Sequence, residues 1–227
     1  IDPPDTTGEI IIKPITVTAG TDSKVYDGNT SSSVAPQISP ALVGTDTSGF
    51  TQTFNTKNVG TGKTLTPAGV VNDGNGGLNY AVTLAPNTTG AITKKAITVT
   101  ADAKSKSVGT ADPSLTYKVS PALVGGDVFS GALTRAPGET PGLYFISKGT
   151  LSAGGNYSIT YVGAKLMIGF AISGNAGADG VSLKYTDGIL KMVKSGVGGG
   201  YSFIVPSGWS GTVTPSLPCY IFTPTSI

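Results

Sequence analysis

ITVTAGTDSK (residues 15–24) returns as ITVTADAKSK (residues 97–106). SPALVGTD (39–46) returns as SPALVGGD (120–127), at the same offset to within one residue. GGLNYAVTL (76–84) is answered by GGNYSITYV (154–162). Phrases recurring in one order mark an internal repeat, and the repeat decides the architecture. One unit spans residues 15–96 and a second spans 97–169, leaving a different segment at 170–227. In each opening phrase an apolar residue alternates with threonine. Period two puts Ile15 and Val17 on one strand face, and Ile97 and Val99 on the equivalent face. Each unit closes on another strand, GAIT near Gly90 and AKLMI near Ala164.

Composition agrees. The 227 residues are 12% charged and include 33 Gly and 15 Pro. Thr, Ser, Val and Ile suit pleated surfaces, while Gly, Pro, Asn and Asp punctuate turns. The expected fold is all-β: three small tandem β-sandwich (Ig-like) domains in an elongated rod. A β-grasp-like topology is the alternative for the first two. The junction between repeats is only TKKA (93–96), too short for a flexible linker.

Several function classes drop out. A net charge of +2 with scattered lysines gives no basic stripe for nucleic acid. No apolar run is long enough to span a membrane. With no histidine, serine–histidine and cysteine–histidine catalysis and the common zinc sites are excluded. NVGTGKT (58–64) lacks the first glycine and the following helix of a phosphate loop. The aspartates fall in turn contexts, where capping of the backbone is their default role. We expect no enzyme, catalytic residue, metal or cofactor. The single cysteine, Cys219, is read as a buried small apolar side chain.

The residues that name a resemblance are Tyr26-Asp27-Gly28. The run ITVTAGTDSKVYDGNT, with NVGTGKTLT, GLNYAVTL and GAIT after it, resembles the YDG repeat of bacterial surface adhesins. Residues 97–168 resemble the related MBG ("mostly bacterial glycine-rich") repeat, with KSVGTADP departing from its usual Lys-Thr-Tyr-Gly. GADGVSLKYTDG, GGGYSFIVPSGWSGTVTPS and PCYIFTPTS resemble a carboxypeptidase-regulatory-like β-sandwich. There, Cys219 stands where glycine is usual, and the turn at 195–200 lacks the carboxylates of calcium-binding relatives. The resemblance implies an extracellular, cell-surface structural or adhesive protein.

Such sandwiches carry one more strand after the phrase that ends at Ile227, and GEIIIKP (8–14) sits where a closing strand precedes ITVTA. We therefore read residues 1–14 as an orphan donor strand, with Ile10, Ile11 and Ile12 as its apolar face. Alternation selects Val181, Leu183, Tyr201, Phe203, Val213, Tyr220 and Phe222 as the acceptor groove. Head-to-tail addition of this strand to an identical subunit would build a pilus-like filament by donor-strand complementation. Each fully buried isoleucine would contribute roughly 1.5–3 kcal/mol. Because the chain opens without methionine, a removed leader or an excised piece of a longer protein is expected. The alternative functions are a stalk fragment of a large adhesin, or a carbohydrate-binding module using Trp209 on a host or cell-surface glycan or protein.

Overall fold

The computed structural model describes residues 11–226. Among them the only helical element is a single 3-10 turn at Val197–Gly199; every other element is a strand. By compactness the chain divides into two units. The first comprises residues up to 97 with segments 122–128 and 153–159. The second comprises 98–121, 129–152 and 160–227.

The first unit holds nine strands of the leading repeat. These are β1 (Lys13–Thr18), β2 (Ser23–Val25), β3 (Gln37–Ser39), β4 (Thr47–Ser48), β5 (Thr51–Phe54), β6 (Gly60–Ala68), β7 (Val71–Asn72), β8 (Tyr80–Ala85) and β9 (Asn87–Thr93). β1 lies between β3, antiparallel, and β8, parallel. A second sheet runs β2-β9-β6-β5, with β2 and β9 parallel. β4 and β7 form a short ribbon. The alternation read from ITVT is realised, since Ile15 and Val17 are buried with Phe50, Val71 and Tyr80. NVGTGKT leads into β6, so it forms a strand rather than a phosphate loop.

In the second repeat the same pairings recur. β10 (Lys95–Ala101) pairs antiparallel with β12 (Tyr117–Ser120), as β1 does with β3. β11 (Lys104–Ser107) pairs parallel with β16 (Ala164–Asn175), as β2 does with β9. β13 (Thr134–Arg135) and β14 (Gly142–Ser147) extend that sheet, and β15 (Tyr157–Val162) follows them in the chain. A two-sheet arrangement without an α-helix is the sandwich alternative of the expected topologies. Only Lys94 separates β9 from β10.

β16 does not stop at the expected boundary near residue 169. Residues 164–168 pair with β14, and 170–175 pair with β19 (Gly200–Val205). A second sheet is made of β17 (Ser182–Asp187), β18 (Ile189–Lys194) and β20 (Thr214–Ser216), in the order β18-β17-β20. The ILKMVK pattern of β18 offers no clean alternation, and its apolar side chains remain largely exposed. Cys219 is exposed rather than buried. Its φ of 67° puts it in the left-handed region that favours glycine.

Candidate functional site

The Tyr-Asp-Gly turn is the best-organised constellation of the first unit, and each of its residues has a distinct task. The Tyr26 hydroxyl donates to Asp127 Oδ2 at 2.9 Å, and the Tyr157 hydroxyl donates to the same oxygen at 2.5 Å. The two rings meet edge-on, with centroids 5.5 Å apart. Tyr157 oxygen also accepts the Val124 N–H at 2.9 Å. All these groups lie within the first unit, although Tyr26 comes from the leading repeat and the others from the following one.

Asp27 shapes the turn. Its carboxylate accepts from the Asn29 N–H and pairs with Lys24, whose ammonium also reaches the Asn29 and Ser31 carbonyls. Burial opposes ionisation, but Lys24 and the Asn29 N–H prevail and hold Asp27 below the usual carboxylate range. Gly28 is required on two counts. Its φ is 83°, and a Cβ there would stand 2.5 Å from Val124 Cγ1. Beside the turn, Asn156 Oδ1 accepts the Val59 N–H at 2.9 Å, and the Lys95 N–H donates to Asn156 O at 3.0 Å.

The electrostatics are those of a fastener. Hydrogen bonds from Tyr157 and then Tyr26 lower the Asp127 pKa. Burial, followed by the Asp127 carboxylate, pushes both phenols above their usual range. Every proton is thus fixed near neutrality, a setting suited to cohesion rather than proton transfer.

The densest charged group lies in the second unit and is equally self-satisfied. Lys106 Nζ is 2.7 Å from Asp112 and 2.5 Å from Glu139, and Arg135 pairs with both carboxylates. Arg135 and then Lys106 hold the Asp112 pKa at about 2.

The proposed groove residues are largely one cluster. Val181, Leu183, Tyr201, Phe203 and Val213 are buried together with Tyr185 and Val205, and Phe222 packs against them half-buried. Tyr220 is exposed, stacked on Phe222. Of the donor residues, Ile11 and Ile12 are 79% and 56% exposed and belong to no strand, while Ile10 lies outside the described residues. Lys13 and Pro14 already belong to β1. Trp209 sits edge-on to Tyr185 and Phe203, and its Nε1–H donates to Thr186 O at 2.8 Å.

A cleft of about 1010 Å³ opens in the second unit, lined in part by Lys104, Leu143, Lys165, Met192, Phe203 and Ile204. Among the described residues, β18 pairs only with β17 and β19 only with β16, so each has an open edge.

Sequence reasoning missed the role of Asp127, which it read as a turn cap. The available signal was that an aspartate closes one repeated phrase and a tyrosine occupies another, at Asp46/Asp127 and Tyr80/Tyr157.

These features define an all-β, repeat-built protein whose repeats are stitched by partly buried polar contacts. Residues 11–90 match the YDG domain, and residues 97–167 match the MBG domain (YGX type). Comparison with curated proteins and with solved structures finds no match. The two domains fit a surface-adhesin type of protein. No helix among the described residues is long and apolar enough to cross a membrane.

Proposed function

We propose that this chain is a non-enzymatic spacer segment of an extracellular adhesin, in which the Tyr-Asp-Gly turn of one repeat fastens to the next. The observation that carries this reading is the Asp127 carboxylate shared by Tyr26 and Tyr157, with Gly28 closed onto Val124. A spacer transmits position, so its repeats need a junction that resists bending. Short connections such as Lys94 limit reach, and a buried polar fastener fixes geometry. Tyr26→Phe deletes one donor and should cost about 1 kcal/mol. In single-molecule pulling on the full chain, Tyr26→Ala should lower the force of the first unfolding event. On glycan arrays the chain should bind nothing above background. Saturable binding to one glycan, lost on Trp209→Ala, would instead establish a carbohydrate-binding module.

A second reading is favoured by the open edges of β18 and β19, and takes residues 170–227 to be a carboxypeptidase-regulatory-like sandwich. Here the N-terminal segment of an identical subunit enters the cleft as a donor strand and builds a pilus-like filament. Charge supports it: residues 1–12 carry Asp2, Asp5 and Glu9, and the cleft wall carries Lys104 and Lys165. Because Lys13 is committed to β1, the donor is confined to residues 1–12. A labelled peptide of residues 1–12 should bind the chain lacking them, more weakly after Lys165→Glu and at raised salt. No saturable binding, together with only monomers of the intact chain by electron microscopy, would remove this reading.

A further inference from the structure

The receptor that holds Tyr26 exists twice. In the second repeat the Val124 N–H donates to the Tyr157 oxygen at 2.9 Å, and Tyr157 donates to Asp127. In the first repeat the Val43 N–H donates to the Tyr80 oxygen at 2.9 Å, and Tyr80 donates to Asp46 Oδ2 at 2.6 Å. The turns that present the two aspartates also agree. Asp46 N–H reaches Val43 O at 3.1 Å, and Asp127 N–H reaches Val124 O at 3.0 Å. The neighbouring strands enter alike, with the Lys13 N–H on Asn79 O at 2.9 Å and the Lys95 N–H on Asn156 O at 3.0 Å.

The two receptors differ in their cover. Val124 is half-buried beneath Gly28, whereas Val43 is 55% exposed. Both receptor tyrosines are buried and have raised pKa values, but the causes rank differently. For Tyr157 burial comes first; for Tyr80 the hydrogen bond to Asp46 comes first.

We infer that Val43, Asp46 and Tyr80 form a docking site for the Tyr-Asp-Gly turn of another YDG-type repeat placed immediately N-terminal to the first. This rests on the spacer reading and adds its partner. The occupant is defined by chemistry already present in the second receptor. A tyrosine hydroxyl donates to the aspartate oxygen that already accepts from the receptor tyrosine. A glycine in the left-handed region follows two residues later, because any Cβ there would strike the receptor valine. The lead-in sequence fits the same partner, since Gly8-Glu9-Ile10-Ile11-Ile12 aligns with Gly90-Ala91-Ile92-Thr93-Lys94, the end of a YDG repeat running into β10. Asn79 would then meet the partner's Asn-Val-Gly loop, as Asn156 meets Asn58 and Val59.

The test is the full chain with a second copy of residues 13–94 joined ahead of Lys13. Hydroxyl-radical footprinting should show labelling of the native Val43 reduced several-fold relative to the single-copy chain. Protection should vanish when the added copy's Tyr26 is changed to Ala. Val43→Glu, at an exposed position, should leave the single-copy melting temperature unchanged and lower that of the tandem protein. Asp46→Ala is the less clean variant, because it also releases Tyr80. If Val43 is labelled equally in both proteins and Val43→Glu affects neither, the docking site is wrong. The spacer reading is judged separately by Tyr26→Ala in the single-copy chain, where the loss of cohesion must appear whatever the added repeat does.

Discussion

Replacing Gly169 with valine should uncouple the unfolding of residues 170–227 from that of the second repeat. Gly169 is buried in β16 at the point where the strand leaves its pairing with β11 and takes up β19. A Cβ there would overlap the carbonyl oxygen of Val205 and lie 2.9 Å from its carbon, with Ile204 Cγ2 at 3.1 Å. The first two obstacles are backbone, so no side-chain rotation relieves them. The relief available is to push β19 away, which breaks the ladder at its first rung, Phe170 opposite Val205. Val205 belongs to the same buried cluster as Phe203 and Leu183, so the shift opens that core. Overpacking costs about 1–3 kcal/mol and each lost ladder bond about 0.5–1.5 kcal/mol, for a total of roughly 3 kcal/mol or more. For a segment this small, that is a drop of more than about 10 °C in melting temperature. Trp209 packs in the cluster and is the only tryptophan, so its fluorescence reports this segment alone. Its transition should move to lower temperature, while far-ultraviolet circular dichroism keeps a second, later transition. One coincident transition at the unsubstituted midpoint would show that β19 has room the geometry denies.

The repeat and its strand faces were legible because period two and recurring phrases are local signals. Ile15, Val17, Ile97 and Val99 could be placed inward from four letters, and they are inward. Partners across long separations were not legible. Nothing near Tyr26 in the chain indicates Asp127, because the pair is made by two repeats meeting rather than by any pattern within one. The continuity of β16 was hidden for a related reason. The Gly169–Phe170 step reads as a boundary, yet a glycine is what lets one strand pass close to Val205 while serving two sheets. Tyr220 shows the limit of alternation, which assigns a face only where a strand exists, and residues 217–222 form none.

Gln52→Leu should destabilise the first unit by roughly 2–5 kcal/mol, although leucine is close in size and far more apolar. Gln52 lies in β5 with its side chain inward beside Phe54, and it is 2% exposed. Its Oε1 accepts the Gly20 N–H at 2.7 Å, and its Nε2 donates to Gly20 O at 3.0 Å and to Ser32 Oγ at 3.0 Å. The amide thus stands in for a neighbouring strand, completing the hydrogen bonds of the chain just beyond β1. Ser32 passes the network on, its hydroxyl donating to Asp22 Oδ2 at 2.6 Å. Leucine would fill the space, keep water out and leave the Gly20 N–H and C=O without the partners Gln52 supplies, at about 1–3 kcal/mol for each orphaned group. Alanine, by contrast, leaves space lined by polar atoms that water can enter and pair. The expected order in urea is therefore Gln52 most stable, then Ala, then Leu, with midpoints falling and the slope unchanged. A leucine variant as stable as the parent would mean that the loop after β1 swings out to solvent at negligible cost. In that case the polar network would be a consequence of where β1 ends, not a cause of it.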